Sequence, residues 1–310
     1  MSYARPGPAL DPNNPHHQSL ISELLTMVRG GNPDPSPDPV MEAGAMSLAY
    51  QRYNGLMSIY VPWLQRLSPG PGTVVEIGCG SGSSTAAFAT ICGRVIGYDF
   101  VDAYLDMARR RLEILGVRNA EVRQAGARDT AEILAAHPGV DGVILYAVLE
   151  HMTISERLDT LRAAWAALKP GGFLLVGETP NRLSYWDAHT TEMPFMQMLP
   201  VDLALDYYDR TSRTDVKQQV AAGLAAGRAA GKTALIRTGY SGASFHEFEL
   251  ALGPNYASFL ISSVHDPEIQ GACGDHSVEE AVLADYCRRK RIDIDPSFTR
   301  AFLTLLFRKP

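Results

Sequence analysis

A short glycine-rich segment is the part of the sequence whose residue types and spacing point most directly to chemistry. Gly78, Gly80 and Gly82 alternate with other residues directly after the mostly β-branched run at 73–77. Glycine lets a chain turn sharply and approach a ligand closely, and open α/β sheets bind ligands beyond the carboxyl ends of their strands. The segment therefore predicts a ligand-binding turn between a buried strand and a helix.

Two carboxylates accompany this turn. Asp99 ends the second predicted strand, 17 residues after Gly82, where an acidic residue can accept hydrogen bonds from both hydroxyls of a ribose. Glu76 lies near the carboxyl end of the first strand, where it would repel a pyrophosphate but attract an ammonium group. Dinucleotides and S-adenosylmethionine both carry a ribose, and the Gly-x-Gly-x-Gly spacing together with Glu76 favours S-adenosylmethionine.

The stretch 74–176 resembles the class I S-adenosylmethionine-dependent methyltransferases. The resemblance implies an α/β fold with a Rossmann-like seven-stranded sheet, helices on both faces and S-adenosylmethionine as the cofactor. The motifs that carry it, in order along the chain, are Glu76 to Gly82, Tyr98-Asp99, Asp141 to Met152 and Leu168 to Leu175.

The motifs and the turn together predict a set of cofactor-binding residues. Gly126 and Ala127 are expected near the adenine through their backbone atoms, with Asp129 as an alternative, although the family's usual Gly-Asp-Ala is absent here. The predicted set is Glu76, Gly78, Cys79, Gly80, Gly82, Asp99, Phe100, Gly126, Ala127 and Leu149.

Residues 148–151 and 179–182 are similar to the branch that includes the ubiquinone-pathway O-methyltransferases. Some of those enzymes hold a divalent metal through Glu-x-x-Glu-His. The first of these positions is Ala147 in this sequence, so the prediction is that the chain has no metal site.

A hydroxyl acceptor usually needs a base, whereas a carboxylate need not. His151 directly follows the fourth predicted strand, and His189 follows the fifth, with Asp187 placed to orient its ring. A purely structural role stays open for both histidines. The predicted reaction is O-methylation of a hydroxyl or carboxylate on a small molecule such as a sugar, a phenol or a natural-product intermediate. The alternatives are an NAD-dependent oxidoreductase and an S-adenosylmethionine-binding protein without turnover.

Alternating strand and helix patterns predict how these residues are positioned. Residues 1–40 read as a proline-rich arm, 41–180 as the cofactor-binding core, 181–250 as a cap insertion and 251–310 as the completion of the sheet. Among the individual elements, strands are expected at 140–149, 173–177 and 256–263, and a helix at 220–230.

Composition narrows the range of partners. The 310 residues carry a formal net charge of −6, which gives no general attraction to nucleic acid or to an anionic membrane. The four cysteines match no zinc-binding spacing, and no apolar run is long enough to span a bilayer. A cytoplasmic enzyme with a small-molecule acceptor is expected, and the proline-rich arm would suit a homodimer.

Overall fold

The computed structural model divides the chain into two compact units. Unit 1 consists of Met1–Ile144 and Ala167–Phe173, and unit 2 of Leu145–Ala166 and Leu174–Pro310. The structure describes residues 9–37, 39–67, 72–126, 130–263, 278–292 and 294–310. The division of function at residues 40, 180 and 250 stays a prediction.

Seven strands form one sheet in the order β3-β2-β1-β4-β5-β7-β6. β1 pairs in parallel with β2, β2 pairs in parallel with β3, and β6 pairs antiparallel with β7. This mixed seven-stranded sheet confirms the predicted α/β class. The strands are β1 Thr73–Ile77, β2 Arg94–Asp99, β3 Ala120–Gln124, β4 Val140–Tyr146, β5 Leu168–Pro180, β6 Leu260–Ser263 and β7 Phe302–Arg308.

The helices of unit 1 support the first three strands. Residues 39–67 form a continuous helix, α2, in which the π-helical turns Ser47–Gln51 and Leu56–Tyr60 alternate with α-helical turns. The remaining helices of this unit are α1 Pro15–Val28, α3 Ser83–Ala89, α4 Asp102–Ile114 and α5 Thr130–Ala135.

Unit 2 is richer in helix than in strand. α6 Ile154–Ala167 begins with a capping box, because Thr153 and Glu156 exchange hydrogen bonds between side chain and backbone. The helices that follow are α7 Val201–Tyr207, α8 Thr214–Ala225, α9 Arg228–Arg237, α10 Phe245–Leu252 and α11 Val278–Lys290.

The core of unit 1 is built around the strands that carry the glycine-rich turn. Val74, Val75 and Val95 are fully buried, which is expected of β-branched residues in strands covered on both faces. All seven residues of α3 are buried as well. The short side chains of this helix allow it to pack closely beside β1 and β2, so the turn between β1 and α3 has rigid supports.

The structure corrects the predicted boundaries of four elements. The helix expected at 220–230 is two helices, because Gly227, with φ of 112°, separates α8 from α9. The fourth strand ends at Tyr146 and gives way to a 3₁₀ turn, Leu149–His151, while the fifth begins earlier, at Leu168. The strand expected at 256–263 begins at Leu260, after another 3₁₀ turn. Within the described ranges, no helix combines the length and the apolar character needed to cross a bilayer.

Candidate functional site

The glycine-rich turn follows β1 directly and is tied to the end of β2. The backbone amides of Gly78 and Cys79 both donate to the carbonyl oxygen of Tyr98, at 2.8 and 3.0 Å. Because Tyr98 is the residue before Asp99, these two hydrogen bonds fix the turn against the strand end that carries the predicted ribose-binding carboxylate.

Gly80 and Gly82 differ in the space that surrounds a side chain at each position. Both have positive φ, 49° and 78° respectively. A Cβ at Gly82 would lie 2.8 Å from the Cβ of Ala108 on α4, whereas a Cβ at Gly80 would meet nothing within 4 Å. Gly82 therefore allows close packing of α4, and Gly80 leaves open space above the turn that a ligand can enter.

Asp99 is held in place by the turn itself. Its Oδ2 accepts a hydrogen bond from the amide of Gly80 at 2.8 Å, and its Oδ1 accepts one from the amide of Val101 at 3.0 Å. The residue is 8% exposed. Each carboxylate oxygen can accept more than one hydrogen bond, so Asp99 is oriented by the protein and retains capacity for ligand hydroxyls.

Glu76 is a fully buried carboxyl group at the end of β1. Thr85 on α3 donates to its Oε2 at 2.5 Å, and its Oε1 has no hydrogen-bond partner among the described residues. Burial raises the pKa of Glu76 to about 7, with Asp99 adding to the rise and hydrogen bonds from Ser84 and Thr85 opposing it. A buried carboxyl oxygen without a partner suits a cationic donor from a ligand and disfavours a phosphate.

Arg111 supports the turn from α4, and the sequence analysis did not identify it. Its fully buried guanidinium donates to the carbonyl oxygens of Ser81, Ala49 and Leu48, at 2.8, 2.7 and 2.6 Å. Burial lowers the pKa of Arg111 to about 10. The Arg111 side chain thus joins the glycine-rich turn to the first π-helical turn of α2. No local sequence pattern around Arg111 predicts this long-range contact.

The other predicted cofactor residues occupy varied environments. Phe100 is 58% exposed directly after Asp99, and Cys79 is buried within the turn, where burial raises the pKa of its thiol. Gly126 is exposed after β3, and Leu149, in unit 2, is fully buried. Ala127, like Asp129, lies outside the described residues. Cofactor contact by these residues stays a prediction.

In unit 2 the two predicted catalytic histidines lie together with a buried carboxylate. The ring centroids of His151 and His189 are 5.8 Å apart. The Nε2 atoms of His151 and His189 lie 3.7 and 3.9 Å from Oε1 of Glu150. Both histidines are site residues predicted from the sequence, whereas Glu150 is not, although its position beside His151 is a signal that the sequence contains.

The predicted role of Asp187 is wrong in its detail. Its Oδ1 accepts hydrogen bonds from the backbone amides of His189 and Thr190 at 3.2 and 3.0 Å, and its Oδ2 accepts from Thr191. The ring Nδ1 of His189 instead contacts Thr190 Oγ1 at 2.8 Å. Aspartate readily bonds the backbone a few residues ahead of it, so Asp187 shapes the loop and does not orient the imidazole directly.

Comparison with known proteins shows that part of this chain is similar to methyltransferases. Residues 74–172 match the family described as "Methyltransferase domain". A probable S-adenosylmethionine-dependent methyltransferase of Mycolicibacterium smegmatis is 30% identical over 123 residues, which cover 39% of this chain and 44% of that protein.

Two further relatives carry names that specify a reaction. Protein-L-isoaspartate O-methyltransferase 2 of Nitrosospira multiformis is 31% identical over 44% of this chain and 64% of its own length. A ubiquinone biosynthesis O-methyltransferase of Thiobacillus denitrificans is 30% identical over 44% of this chain and 58% of its own length. The chain spans about half the length of the curated relatives it matches.

The residues of unit 1 fit the cofactor of this family. The partnerless Oε1 of Glu76 suits the ammonium of the methionine part, and Asp99 suits the ribose hydroxyls. The open space above Gly80 permits close approach of a ligand. Residues 74–172 of this chain therefore match a methyltransferase domain in sequence, and the geometry of the turn fits S-adenosylmethionine as the cofactor.

Proposed function

We propose that this protein transfers a methyl group from S-adenosylmethionine to an oxygen atom of a small molecule. The observation that carries the proposal is the arrangement around the glycine-rich turn. S-adenosylmethionine is complementary to three features there. These are the buried carboxyl group of Glu76, the open space above Gly80 and the carboxylate of Asp99, which backbone amides orient.

The cofactor, when bound, supplies a methyl group on a sulfonium with a neutral leaving group. The protein therefore has no leaving group to protonate. Its contribution is to hold the acceptor atom in line with the bond between the methyl carbon and the sulfur. Asp99 and Glu76 hold the cofactor at its two polar ends. An acceptor hydroxyl also has to lose a proton, and the chemically suitable groups in unit 2 are His151 and His189.

Two observations support oxygen as the acceptor atom. Relatives over the methyltransferase domain include proteins named as O-methyltransferases of two kinds. Unit 2 also places two histidines beside Glu150, which is a reasonable environment for removing a proton from a hydroxyl. The names of those relatives refer to unlike acceptors, so hydroxyl and carboxylate acceptors both belong to the proposal.

Further parts of the proposal concern partners and location. With its net charge of −6, the chain is proposed to act on a small molecule and not on nucleic acid or at a membrane surface. A homodimer and a cytoplasmic location complete the proposal.

Isothermal titration with S-adenosylhomocysteine and with NAD tests the cofactor assignment. The wild-type protein should bind S-adenosylhomocysteine and not NAD. Asp99→Ala should weaken that binding by about 10–100-fold, because hydrogen bonds to a charged group contribute roughly 1.5–3 kcal/mol. Binding of NAD alone, or unchanged affinity in Asp99→Ala, would contradict the proposal.

A second measurement tests the reaction. The protein is incubated with S-adenosylmethionine and a panel of sugars, phenols and carboxylic acids, and S-adenosylhomocysteine release is recorded. Mild alkali then separates the two product classes, because methyl esters release methanol whereas methyl ethers do not. Cofactor binding without turnover on any acceptor would instead favour a binding protein.

A further inference from the structure

We propose that Glu150, His151 and His189 bind one divalent transition-metal cation. One ligand atom from each residue lies within 4.8 Å of the others. The carboxylate of Glu150 is fully buried, while the side chains of His151 and His189 are 42% and 26% exposed. The group thus combines a buried anionic ligand with two imidazoles that solvent can reach, which gives a cation a path of entry.

Hydrogen bonds fix the tautomer of His151. Its Nδ1 lies 2.8 Å from the carbonyl oxygen of Arg237, at the end of α9. A carbonyl oxygen can only accept a hydrogen bond, so Nδ1 carries the proton. In the neutral ring, Nε2 is then the atom with the lone pair, and it is Nε2 that lies 3.7 Å from Glu150 Oε1.

The tautomer of His189 follows from its neighbour. Its Nδ1 lies 2.8 Å from Thr190 Oγ1, and that hydroxyl donates its single proton to the carbonyl oxygen of Thr238 at 2.9 Å. Nδ1 of His189 must therefore be the donor to Thr190. The lone pair of this ring is again on Nε2, which lies 3.9 Å from the same Glu150 oxygen.

In their neutral forms, both rings would thus direct the lone pair of Nε2 toward one carboxylate oxygen. Distances of 3.7 and 3.9 Å are too long for direct hydrogen bonds. They are close to the spacing of ligands that share a metal ion, because ligand atoms about 2.1 Å from a tetrahedral ion are about 3.4 Å apart. Histidines that bind metals commonly donate their other ring nitrogen to a carbonyl or similar acceptor, as both do here.

The backbone around the cluster leaves room for this convergence. A Cβ on Gly239, whose φ is 90°, would lie 2.7 Å from His189 Cε1 and 3.1 Å from Glu150 Cγ. Glycine at this position therefore allows the imidazole and the carboxylate to come together beside the end of α9. On the other side, Asp187 holds the His189 backbone through its loop hydrogen bonds.

The donor set indicates the class of cation. Two imidazole nitrogens and one carboxylate oxygen suit Zn²⁺, Fe²⁺ or Co²⁺, whereas Mg²⁺ prefers oxygen ligands throughout. The set also differs from the Glu-x-x-Glu-His pattern of the similar O-methyltransferases. Ala147 replaces the first carboxylate, and His189 supplies a third ligand from the loop that follows β5. The proposal therefore departs from the prediction, made from the sequence, that the chain has no metal site.

The cation would act as a Lewis acid that lowers the pKa of an acceptor hydroxyl, and this role rests on the proposed function. His151 and His189 would then be ligands and not free bases. Binding of the cation, by contrast, can be measured without turnover.

Titration with Co²⁺ tests the site, because the visible spectrum of this ion responds to nitrogen and oxygen ligands. The starting protein carries no affinity tag and has the adjacent histidines His16 and His17 replaced by glutamine. We expect one equivalent of Co²⁺ to bind per chain with a new visible band. Zn²⁺ should displace the Co²⁺, and excess Mg²⁺ should not.

Substitutions then locate the bound ion. Glu150→Gln, His189→Ala and His189→Gln should each weaken Co²⁺ binding by at least about 100-fold. His246→Ala is the matched control, because His246 lies in the same unit, stacked on Phe245 and in contact with Ser244, and its loss should leave the band unchanged. Circular dichroism confirms that each variant is folded.

Two outcomes would overturn the proposal: no saturable binding at one equivalent, or equal affinity in Glu150→Gln and the starting protein. Titration of S-adenosylhomocysteine into the same starting protein separates this failure from that of the proposed function. Binding of S-adenosylhomocysteine without Co²⁺ refutes the metal site alone, and binding of neither refutes the cofactor assignment as well.

Discussion

At the scale of single residues, the chemistry of the cofactor site depends on a carboxyl group that is costly to ionise. Glu76 is fully buried, and one of its oxygens has no hydrogen-bond partner in the described part of the chain. An isolated buried charge is unfavourable, so the empty protein gains nothing from ionising this group. A cationic ligand would change that balance, so we expect Glu76 to favour ligand binding at the expense of the stability of the empty protein.

Substituting Glu76 with glutamine should separate stability from binding. Burial raises the pKa of Glu76 to about 7, above the 4.5 of an ordinary glutamate. The stabilising contribution of the protonated group is fully present below pH 4.5 and is lost as the pH rises through 7. Without ligand at pH 8.5, Glu76→Gln should therefore be more stable than wild type by up to about 3 kcal/mol. Urea unfolding across this pH range measures the difference.

The same variant should bind S-adenosylhomocysteine roughly 10-fold more weakly, because it loses a charge-assisted hydrogen bond. Glu121→Gln is a suitable control, since this glutamate lies in exposed ion pairs with Arg94 and Arg123 that contribute little to stability. A Glu76→Gln protein less stable than wild type at pH 8.5 would show that the ionised carboxylate is stabilised by contacts other than those described.

At the scale of elements, the turn between β1 and α3 is held at three points by two neighbouring elements, β2 and α4. The end of β2 accepts hydrogen bonds from its amides, Arg111 of α4 binds the carbonyl of Ser81, and α4 packs against Gly82 through Ala108. A turn fixed in this way presents its open side to a ligand without having to be ordered on binding.

Alanine substitutions at Gly80 and Gly82 form a matched pair for this element. Gly82→Ala should lower the free energy of unfolding by roughly 2–5 kcal/mol, because the new methyl group meets Ala108 and the positive φ is strained. Gly80→Ala should cost only about 1 kcal/mol, from its φ. It should nevertheless weaken S-adenosylhomocysteine binding at least 10-fold, because its methyl group occupies the space left for the ligand.

Urea unfolding and isothermal titration measure the two effects separately. A Gly80→Ala protein that binds with wild-type affinity would mean that the cofactor does not approach the turn at this point. Equal loss of stability in both variants would mean that packing, and not ligand access, explains both glycines.

At the scale of the whole molecule, the two groups of residues that we propose to bind ligands belong to different compact units. Glu76, Gly80 and Asp99 belong to unit 1, and Glu150, His151 and His189 belong to unit 2. Each group is held within its own unit by buried or backbone contacts, so each can be tested by binding its own ligand.

Cofactor binding should stabilise the folded chain through mass action. S-adenosylhomocysteine at 100 times its Kd should add about 2.7 kcal/mol to the free energy of unfolding, which corresponds to a rise in Tm of roughly 5 °C. Scanning calorimetry measures the shift, and NAD at the same concentration is the control. A comparable shift with NAD would favour the oxidoreductase alternative.

The sequence by itself determined the fold class and the cofactor, and it predicted where that cofactor binds. Local signals suffice for this: β-branched runs at regular intervals predict buried parallel strands, and Gly78 to Gly82 with Asp99 predict a ligand site at a strand end. The capping box at Thr153 and Glu156 was likewise predictable, because its partners are three residues apart.

Only the tertiary structure decided which distant residues come together. Arg111 reaches the carbonyl of Leu48, 63 positions earlier, and Gly239 makes room for Glu150 and His189. By contrast, the boundary between α8 and α9 at Gly227 and the hydrogen bonds of Asp187 to residues 189–191 are local features. Propensity and periodicity describe neighbours along the chain, whereas the contacts of a buried guanidinium or of a side-chain cluster are made with residues that are neighbours only in space.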